Sequence, residues 1–244
     1  MSIPKVIHYC WFGNNEMPKQ AKRCIESWKR FCPDYEIICW NEENFDFTRN
    51  QYAKEAYEAG KWAFVTDYAR LKVVYDFGGI YMDTDVELIK PLEALLDYKG
   101  YMGFEHSGLV ATGLGFGAEK GNEIIGTMLE DYNDISFIKS DGSYDIVPCP
   151  DRNSAVLAEM GMNLKVTDQV FKDVRFLPAE YLSPVDYHTG KKHITPNTYS
   201  IHYYAASWTS AGARRARLIK RLIGREMYEK LYGKFLYKLK FLDW

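Results

Sequence analysis

The first half of the chain alternates between short apolar runs and amphipathic segments. Apolar runs that stop at turn residues predict strands, and apolar residues that recur every three or four positions predict helices. The elements predicted in this way are strands at 4–11, 35–40, 80–82 and 101–105 and helices at 18–31 and 52–75, the latter in two parts that meet near Gly60. Strands joined through single helices and short loops pair in parallel with right-handed crossovers. The pattern therefore predicts an α/β protein.

The second half is less regular and predicts shorter elements. These are a short helix at 91–96, helices at 122–132 and 153–160, a polar loop at 141–151, short strands within 164–181 and a strand from 199. The stretch 113–118 has alternate glycines without the spacing of a dinucleotide-binding fingerprint. Such glycines are more typical of backbone that lies close to a ligand or to a neighbouring strand. One domain over 1–210, followed by a basic helical tail over 211–244, is the simplest account.

Charge is unevenly distributed along the chain. The formal net charge is -2, yet residues 214–244 contain 10 Lys and Arg against 3 Asp and Glu, which leaves the rest of the chain at -9. This balance argues against a protein whose whole surface binds nucleic acid. The basic tail is expected to lie on an anionic membrane surface, to pack on the domain or to remain a solvated helix.

The cysteines do not predict a metal-binding or disulfide framework. They number five and form no Cys-x-x-Cys pair, so reduced thiols are expected. The first residues have no apolar segment behind a basic start, as a signal peptide would, and no run reaches the length of a transmembrane helix. We therefore expect a cytoplasmic protein.

The most informative stretch contains an Asp-x-Asp motif. Gly78 and Gly79 end a helical pattern, and a short apolar strand then leads to Asp83 and Asp85. Two carboxylates at a strand end provide hard oxygen ligands of the kind that Mg²⁺ and Mn²⁺ bind, and such an ion can carry a phosphorylated substrate. For this motif taken alone, a polar turn without a ligand is the alternative, because aspartate is common in turns.

Further polar residues accompany this motif. Asp67 and Arg70 share a face of the helix that leads into it, where they form either a surface ion pair or part of the site. His202, late in the chain, is either a structural histidine or a third metal ligand. Ser207 and Trp208 follow it and offer donors of the kind that hold a diphosphate.

Aromatic residues make up 16% of the chain, with 19 Tyr and 6 Trp. A tyrosine-rich core explains such a composition, and so does stacking on rings or sugars. Trp11 ends the first predicted strand, at the carboxyl edge of the sheet where α/β proteins bind ligands. Its indole is either a core aromatic or a platform for a nucleobase.

Taken together, the motifs resemble those of the Asp-x-Asp sugar-nucleotide glycosyltransferases. They are Ile-Pro-Lys-Val-Ile-His-Tyr-Cys-Trp over 3–11, Ala-Phe-Val-Thr-Asp-Tyr-Ala-Arg over 63–70, Gly-Gly-Ile-Tyr-Met-Asp-Thr-Asp over 78–85 and, in the family's order, 202–208. This family includes bacterial capsular polysaccharide and lipopolysaccharide enzymes, the yeast outer-chain-initiating mannosyltransferase and the catalytic domains of clostridial glucosylating toxins. The resemblance implies a GT-A type single domain with a Rossmann-like, mostly parallel sheet flanked by helices and, here, a C-terminal helical basic extension.

The resemblance also implies which residues bind the donor. Trp11 would stack on the nucleobase. Thr66, Asp67 and Arg70 would hold the ribose and the donor sugar. The middle of the chain, where an acceptor should bind, matches no motif of the family.

The resemblance further implies a metal and diphosphate site. Asp83 would contact the ribose and the metal, Asp85 would bind the metal directly, and His202 would be a late metal ligand. Ser207 and Trp208 would close over the diphosphate. In the toxins one residue separates the corresponding serine and tryptophan, whereas the two are adjacent here.

The implied activity is transfer of a hexose from a nucleotide sugar with retention of anomeric configuration. Mn²⁺ or Mg²⁺ would stabilise the leaving diphosphate, and Arg70 would add a fixed donor beside Asp83 and Asp85. No residue stands out as a covalent nucleophile, so front-face transfer is expected. The family resemblance favours a UDP-hexose donor and an oligosaccharide or lipid-linked saccharide acceptor in capsule or lipopolysaccharide synthesis. The basic tail would then contact the anionic inner membrane peripherally.

Three other activities share part of this pattern. A non-enzymatic, divalent-ion-dependent sugar-binding module would also be rich in aromatic residues, but it would not require the cluster of Asp67, Arg70 and Asp83. A metal-dependent phosphohydrolase would need two metal ions, and therefore more carboxylates and histidines in motifs than occur here. A toxin-like protein glycosyltransferase would share the donor site and differ in its acceptor region and in secretion, for which the sequence shows no signal.

Overall fold

The computed structural model describes residues 3–186 and 189–205, with six single positions between 212 and 227. Over these residues the strands are β1 (Val6–Cys10), β2 (Glu36–Trp40), β3 (Gly79–Tyr81), β4 (Val86–Leu88), β5 (Gly100–Phe104), β6 (Val110–Ala111), β7 (Phe116–Ala118), β8 (Gln169–Phe171), β9 (Val174–Leu177) and β10 (Ser200–His202). The helices are α1 (Lys19–Phe31), α2 (Gln51–Glu58), α3 (Trp62–Phe77), α4 (Glu123–Glu130), α5 (Cys149–Glu159) and α6 (Ala179–Leu182). The strands and long helices predicted for the first half of the chain are confirmed, including the division near Gly60.

Eight of these strands form one sheet in the order β2-β1-β3-β7-β5-β9-β8, with β6 paired to β5. Strand β1 pairs in parallel with β2 and β3, and β5 with β9, whereas β7 runs antiparallel between β3 and β5. Five strands therefore point one way, and β6, β7 and β8 point the other. The expected α/β architecture, with a Rossmann-like, mostly parallel sheet flanked by helices, is confirmed.

Two hydrophobic cores lie on opposite faces of this sheet. Side chains alternate between them along the strands: Tyr81 and Met102 belong to the first core, and their neighbours Ile80 and Tyr101 to the second. Helices α2, α3, α4 and α5 contribute to the first core, whereas α1, α6 and β4 contribute to the second. Both faces of the central strands are thus covered, as a mostly parallel sheet requires.

Helix α3 passes through the first core and leads directly into the Asp-x-Asp motif. Gly78 caps its end with φ +70°, and Gly79 follows with φ +107°, values that residues with side chains rarely adopt. A Cβ on Gly78 would lie 2.9 Å from the backbone nitrogen of Lys120, and one on Gly79 would lie 2.8 Å from the carbonyl oxygen of Val6. Only glycine therefore allows the chain to turn from α3 into β3 this close to β1.

The side chain of His8, on β1, fixes this turn. Its Nδ1 accepts a hydrogen bond from the Trp40 indole N–H at 3.1 Å. Nε2 therefore carries the ring hydrogen and donates it to the Gly78 carbonyl oxygen at 2.8 Å. Burial lowers the pKa of His8, which keeps the ring in the neutral form that both bonds require.

Several elements differ from the sequence prediction. The pattern does not indicate the short elements β4, β6 and α6; β4 pairs with β10 in a separate two-stranded sheet, and α6 begins inside the stretch predicted as strands. Helix α5 begins at Cys149, inside the stretch predicted as a polar loop, and not at 153. Pro148 precedes the helix and Pro150 lies in its first turn, where no backbone N–H donor is needed, so these prolines start the helix rather than prevent it.

The basic tail predicted over 211–244 lies outside the described residues, apart from the single positions. Its helical structure and the domain boundary at 210 therefore stay predictions. Among the residues that the structure describes, no helix combines the length and the apolar character needed to cross a membrane.

Candidate functional site

The polar residues of the site meet at the carboxyl end of β3. Asp67 and Arg70 come from α3, Asp83 and Asp85 follow β3, and His202 ends β10. Strand β10 pairs with β4, the strand that follows Asp85, and this pairing brings His202 back to the motif. Residues far apart in the sequence thus share one edge of the sheet.

Arg70 is the centre of this cluster. Its Nη2 lies 3.0 Å from Asp67 Oδ1 and 3.3 Å from Asp83 Oδ1. Its Nε donates to the Thr66 carbonyl oxygen at 3.3 Å, and its Nη1 donates to Cys149 Sγ at 3.5 Å. The side chain of Arg70 is 5% exposed and that of Asp67 is 11% exposed. The alternative of a surface ion pair is therefore wrong, because the pair is buried and joined to the Asp-x-Asp motif.

Burial and charge set the protonation of the cluster. Burial raises the pKa of Asp67 to about 6, against the opposing effect of the Arg70 guanidinium. Burial also raises the pKa of Asp83, which Arg70 opposes and the charge of Asp85 reinforces. For Arg70, burial alone would lower the pKa, but Asp83 and Asp67 raise it. Two carboxylates thus share one guanidinium, and the site has an excess of acidic groups.

The two oxygen atoms of Asp83 have different surroundings. Oδ1 accepts a hydrogen bond from the Tyr81 hydroxyl at 2.9 Å and faces Arg70. The Tyr81 ring centre also lies 5.3 Å from the Arg70 guanidinium, within cation–π distance. Oδ2 lies against the backbone of Gly113, where a Cβ would be 2.6 Å away. Within the described part of the chain, the Tyr81 hydroxyl and the Arg70 guanidinium both contact Oδ1 of Asp83. Oδ2 is therefore the oxygen available to a ligand.

Asp85 and His202 form the other half of the cluster. His202 Nε2 lies 3.2 Å from Asp85 Oδ1, and Asp85 Oδ2 accepts a hydrogen bond from the Ala205 backbone N–H at 2.7 Å. Burial alone would lower the pKa of His202, but the charges of Asp85, Asp83 and Glu105 raise it. Burial likewise opposes ionisation of Asp85, yet His202 and the Ala205 hydrogen bond hold its pKa below the usual value.

Asp83, Asp85 and His202 have the donor set of a divalent metal site. One ligand atom from each lies within 4.8 Å of the others, and mixed oxygen and imidazole ligands suit Mn²⁺. The Nδ1 of His202 is buried and has no hydrogen-bond partner among the described residues. The negative charge that raises the pKa of His202 is also the charge that a divalent ion would neutralise. The residues present therefore fit such an ion.

The other predicted site residues lie at the edge of the cluster or outside the described residues. Trp11 follows β1 at the same sheet edge, and its indole N–H donates to a backbone carbonyl in the next turn at 2.7 Å. Thr66 lies on α3, and its hydroxyl donates to a carbonyl one turn earlier at 2.9 Å. Ser207 and Trp208 lie outside the described residues. The ligand roles of all four stay predictions.

Some residues of the site escape prediction from the sequence. Cys149 is a lone cysteine in a stretch predicted as loop, yet it begins α5 and touches the guanidinium of the cluster. Glu105 follows β5 without any motif, although its charge acts on His202. For Gly113 the sequence did give an indication. The alternate glycines over 113–118 predicted that the backbone lies close to a ligand or a neighbouring strand, and Gly113 lies against Asp83.

We expect Gly113→Ala to weaken Mn²⁺ binding by about tenfold or more. The added methyl group would lie 2.6 Å from Asp83 Oδ2 and 3.2 Å from Arg70 Nη1, so one of these side chains must move. Overpacking of this kind costs roughly 1–3 kcal/mol. Titration calorimetry with Mn²⁺ measures the change. Gly126→Ala is the control, because Gly126 in α4 faces the Tyr75 ring instead; wild-type affinity in Gly113→Ala would contradict a metal site at Asp83.

The fold and the site define a class, the α/β proteins with a carboxylate-rich candidate cation site at the carboxyl edge of a mostly parallel sheet. Comparison with protein families makes the class more specific. Residues 18–101, which include α3 and the Asp-x-Asp motif, match the family model of the glycosyltransferase sugar-binding region containing DXD motif. The resemblance of this segment to the Asp-x-Asp glycosyltransferases is therefore confirmed.

Individual proteins match parts of the chain. Over 113 residues it is 31% identical to inositol phosphoceramide mannosyltransferase 3 of Schizosaccharomyces pombe, and over 104 residues it is 26% identical to mannosyl phosphorylinositol ceramide synthase SUR1 of Saccharomyces cerevisiae. These alignments cover 41% of this chain but 29% and 27% of the relatives, so the chain spans less than a third of their length. Among solved structures, PaToxG glycosyltransferase superposes with a TM-score of 0.49 and 20% identity, over 65% of this chain and 69% of that one.

Proposed function

We propose that this chain is a glycosyltransferase that moves a hexose from a nucleotide sugar to a saccharide acceptor and requires a divalent metal ion. The observation that carries the proposal is the convergence of Asp83, Asp85 and His202, within 4.8 Å of one another, beside the buried pair of Asp67 and Arg70. A sugar-binding module would have no need for a buried arginine shared by two carboxylates. A two-metal phosphohydrolase would need a second ligand cluster, and the residues described contain one such group.

The Asp-x-Asp carboxylates and His202 would hold the metal. When bound, the ion acts as a Lewis acid that stabilises negative charge on the leaving diphosphate. The chain fixes both carboxylates in advance: Tyr81 and Arg70 hold Oδ1 of Asp83, and the Ala205 N–H holds one oxygen of its neighbour in the motif. Ligands that are already oriented lower the cost of reorganisation on binding.

Arg70 would supply a fixed positive charge beside the metal ligands. Asp67, Asp83 and the Thr66 carbonyl hold the guanidinium, so it does not have to move as the glycosidic bond breaks. A fixed charge in a site that excludes water stabilises developing charge more strongly than it would in bulk solvent. Retention of configuration and front-face attack by the acceptor hydroxyl are part of the proposal and are supported by the family resemblance.

The donor sugar and the acceptor are proposed from the relatives. One is named an inositol phosphoceramide mannosyltransferase and the other a mannosyl phosphorylinositol ceramide synthase. Mannosyl donors therefore join the UDP-hexoses as first candidates, and a lipid-linked saccharide is the proposed acceptor class. Synthesis of capsule or lipopolysaccharide at the cytoplasmic face of a bacterial inner membrane, with peripheral contact through the basic tail, is the setting we propose.

Nucleotide release from a panel of UDP- and GDP-sugars tests the proposed function. With Mn²⁺ and no acceptor, we expect slow hydrolysis of one donor, because water can replace the acceptor hydroxyl. EDTA should stop the release, and added Mn²⁺ should restore it. No release from any donor, together with no Mn²⁺-dependent nucleotide binding by calorimetry, would favour the sugar-binding module instead.

A further inference from the structure

A chain of buried hydrogen bonds runs from α5 to the pair of Asp67 and Arg70. Asn153 Nδ2 donates to Thr112 Oγ1 at 3.1 Å, and Thr112 Oγ1 lies 3.7 Å from Cys149 Sγ. The same sulfur accepts from Arg70 Nη1 at 3.5 Å, and Arg70 Nη2 lies 3.0 Å from Asp67 Oδ1. Thr112 and Asn153 are each 1% exposed. We call Asn153, Thr112 and Cys149 the relay. The proposed function assigns no role to these three residues.

The donors available decide the direction of each bond in the relay. The Asn153 amide donates to the Thr112 oxygen, so the Thr112 hydrogen is free to point at the sulfur. Burial raises the pKa of Cys149, so the thiol keeps its hydrogen. Arg70 can only donate. The sulfur therefore accepts from Arg70 and from Thr112.

We propose that the relay is a positioning device for the donor sugar, in which Cys149 fixes the orientation of the Arg70 guanidinium against the Asp67 carboxylate. The inference rests on the proposed function, in which Arg70 supplies a fixed charge beside the metal ligands. Apolar packing in the first core does not set the direction of a polar side chain, whereas directional hydrogen bonds do. A connected buried network gives such a pair one geometry. Groups held in the productive geometry lower the barrier of the reaction they serve.

Substitutions that replace the Cys149 sulfur test the proposal. Serine at position 149 keeps a donor and two acceptor sites, with a shorter reach than the thiol. Alanine removes them, so Arg70 and Thr112 each lose an acceptor. Cys32→Ala is the matched control, because Cys32 is another buried thiol and belongs to the second core, on the opposite face of the sheet.

Kinetics of donor hydrolysis with Mn²⁺ provide the test, together with thermal unfolding and calorimetry of Mn²⁺ binding. We expect Cys149→Ala to lower kcat/KM for the nucleotide sugar by about 10- to 100-fold, the effect of lost hydrogen bonds to charged groups. Cys149→Ser should recover most of this loss, and Cys32→Ala should keep the wild-type kcat/KM. Affinity for Mn²⁺ should change by less than about threefold, since Asp83, Asp85 and His202 and not the relay would hold the ion.

Two results would overturn the proposal: wild-type kcat/KM in Cys149→Ala, or a serine variant no better than the alanine variant, which would make the position one of packing alone. If Cys149→Ala does not fold, Thr112→Val takes its place, because it removes one hydroxyl at nearly constant shape. We expect Thr112→Val to lower kcat/KM by about threefold to tenfold. An unchanged kcat/KM in this variant would overturn the proposal. If the wild-type protein releases no nucleotide from any donor, the proposed function is overturned. The role proposed for the relay then falls as well, because it depends on that function.

Discussion

Asp85→Asn is expected to abolish Mn²⁺-dependent turnover, with a loss in kcat/KM of about 1,000-fold or more, while the protein stays folded. Asparagine keeps the shape of the side chain and can still accept the hydrogen bond from the Ala205 N–H. It removes the negative charge that a divalent cation needs and that pairs with His202. Because the pKa of Asp85 lies below its usual value, the folded state favours the ionised form, and the substitution also costs some stability.

Donor hydrolysis at saturating Mn²⁺ measures this loss, and calorimetry measures the affinity for the ion. Asp173→Asn is the matched control, because Asp173 pairs with Lys99 at 2.9 Å on the surface and its side chain is 67% exposed. That variant should retain activity and lose no more than about 1 kcal/mol of stability. An Asp85→Asn protein with full activity would exclude Asp85 as a metal ligand.

The sequence predicts those parts of the site that depend on residues close together in the chain. Two adjacent glycines after a helical pattern force a turn, and here the turn is needed because a side chain at Gly78 or Gly79 would collide with neighbouring backbone. An apolar strand then leads to Asp83 and Asp85 at its carboxyl end, where ligands bind in this class of fold. Helical spacing likewise places Asp67 and Arg70 on one face of α3.

The remainder depends on contacts between distant segments, which no local pattern encodes. Helical spacing gives the ion pair of α3 but not its burial, which arises because α3 lies inside the first core and its Arg70 also reaches Asp83. Cys149 joins the cluster only because α5 starts early and its first residue faces α3. Strand β7 runs antiparallel between β3 and β5, a position set by tertiary pairing rather than by its short apolar run.

Arg70→Met is expected to lower the free energy of unfolding by about 3–5 kcal/mol, because it leaves the buried Asp67 and the partly exposed Asp83 without their shared partner. The loss should grow with pH. The pKa of Asp67 in the folded protein is already about 6, above its ordinary 3.8, so stability from this group is lost as pH rises through that window. Removing the guanidinium raises the folded pKa further, so the variant loses more and continues to lose at higher pH. Urea unfolding in EDTA at about pH 5 and about pH 8 measures the difference.

Arg152→Met separates the stability effect from the effect on the reaction. Arg152 also lies between two carboxylates, 3.0 Å from Asp131 and 2.6 Å from Asp145; its side chain is 11% exposed and that of Asp131 is 35% exposed. We expect Arg152→Met to be destabilised as well, by a smaller amount because Asp131 is partly exposed, and to retain turnover within about tenfold below its unfolding temperature. Arg70→Met should lose at least about 100-fold in kcat/KM under the same conditions, because it also removes the fixed charge beside the metal ligands. Equal activity in the two variants, or a destabilisation of Arg70→Met that does not change with pH, would mean that Arg70 does not hold two ionised carboxylates at the site.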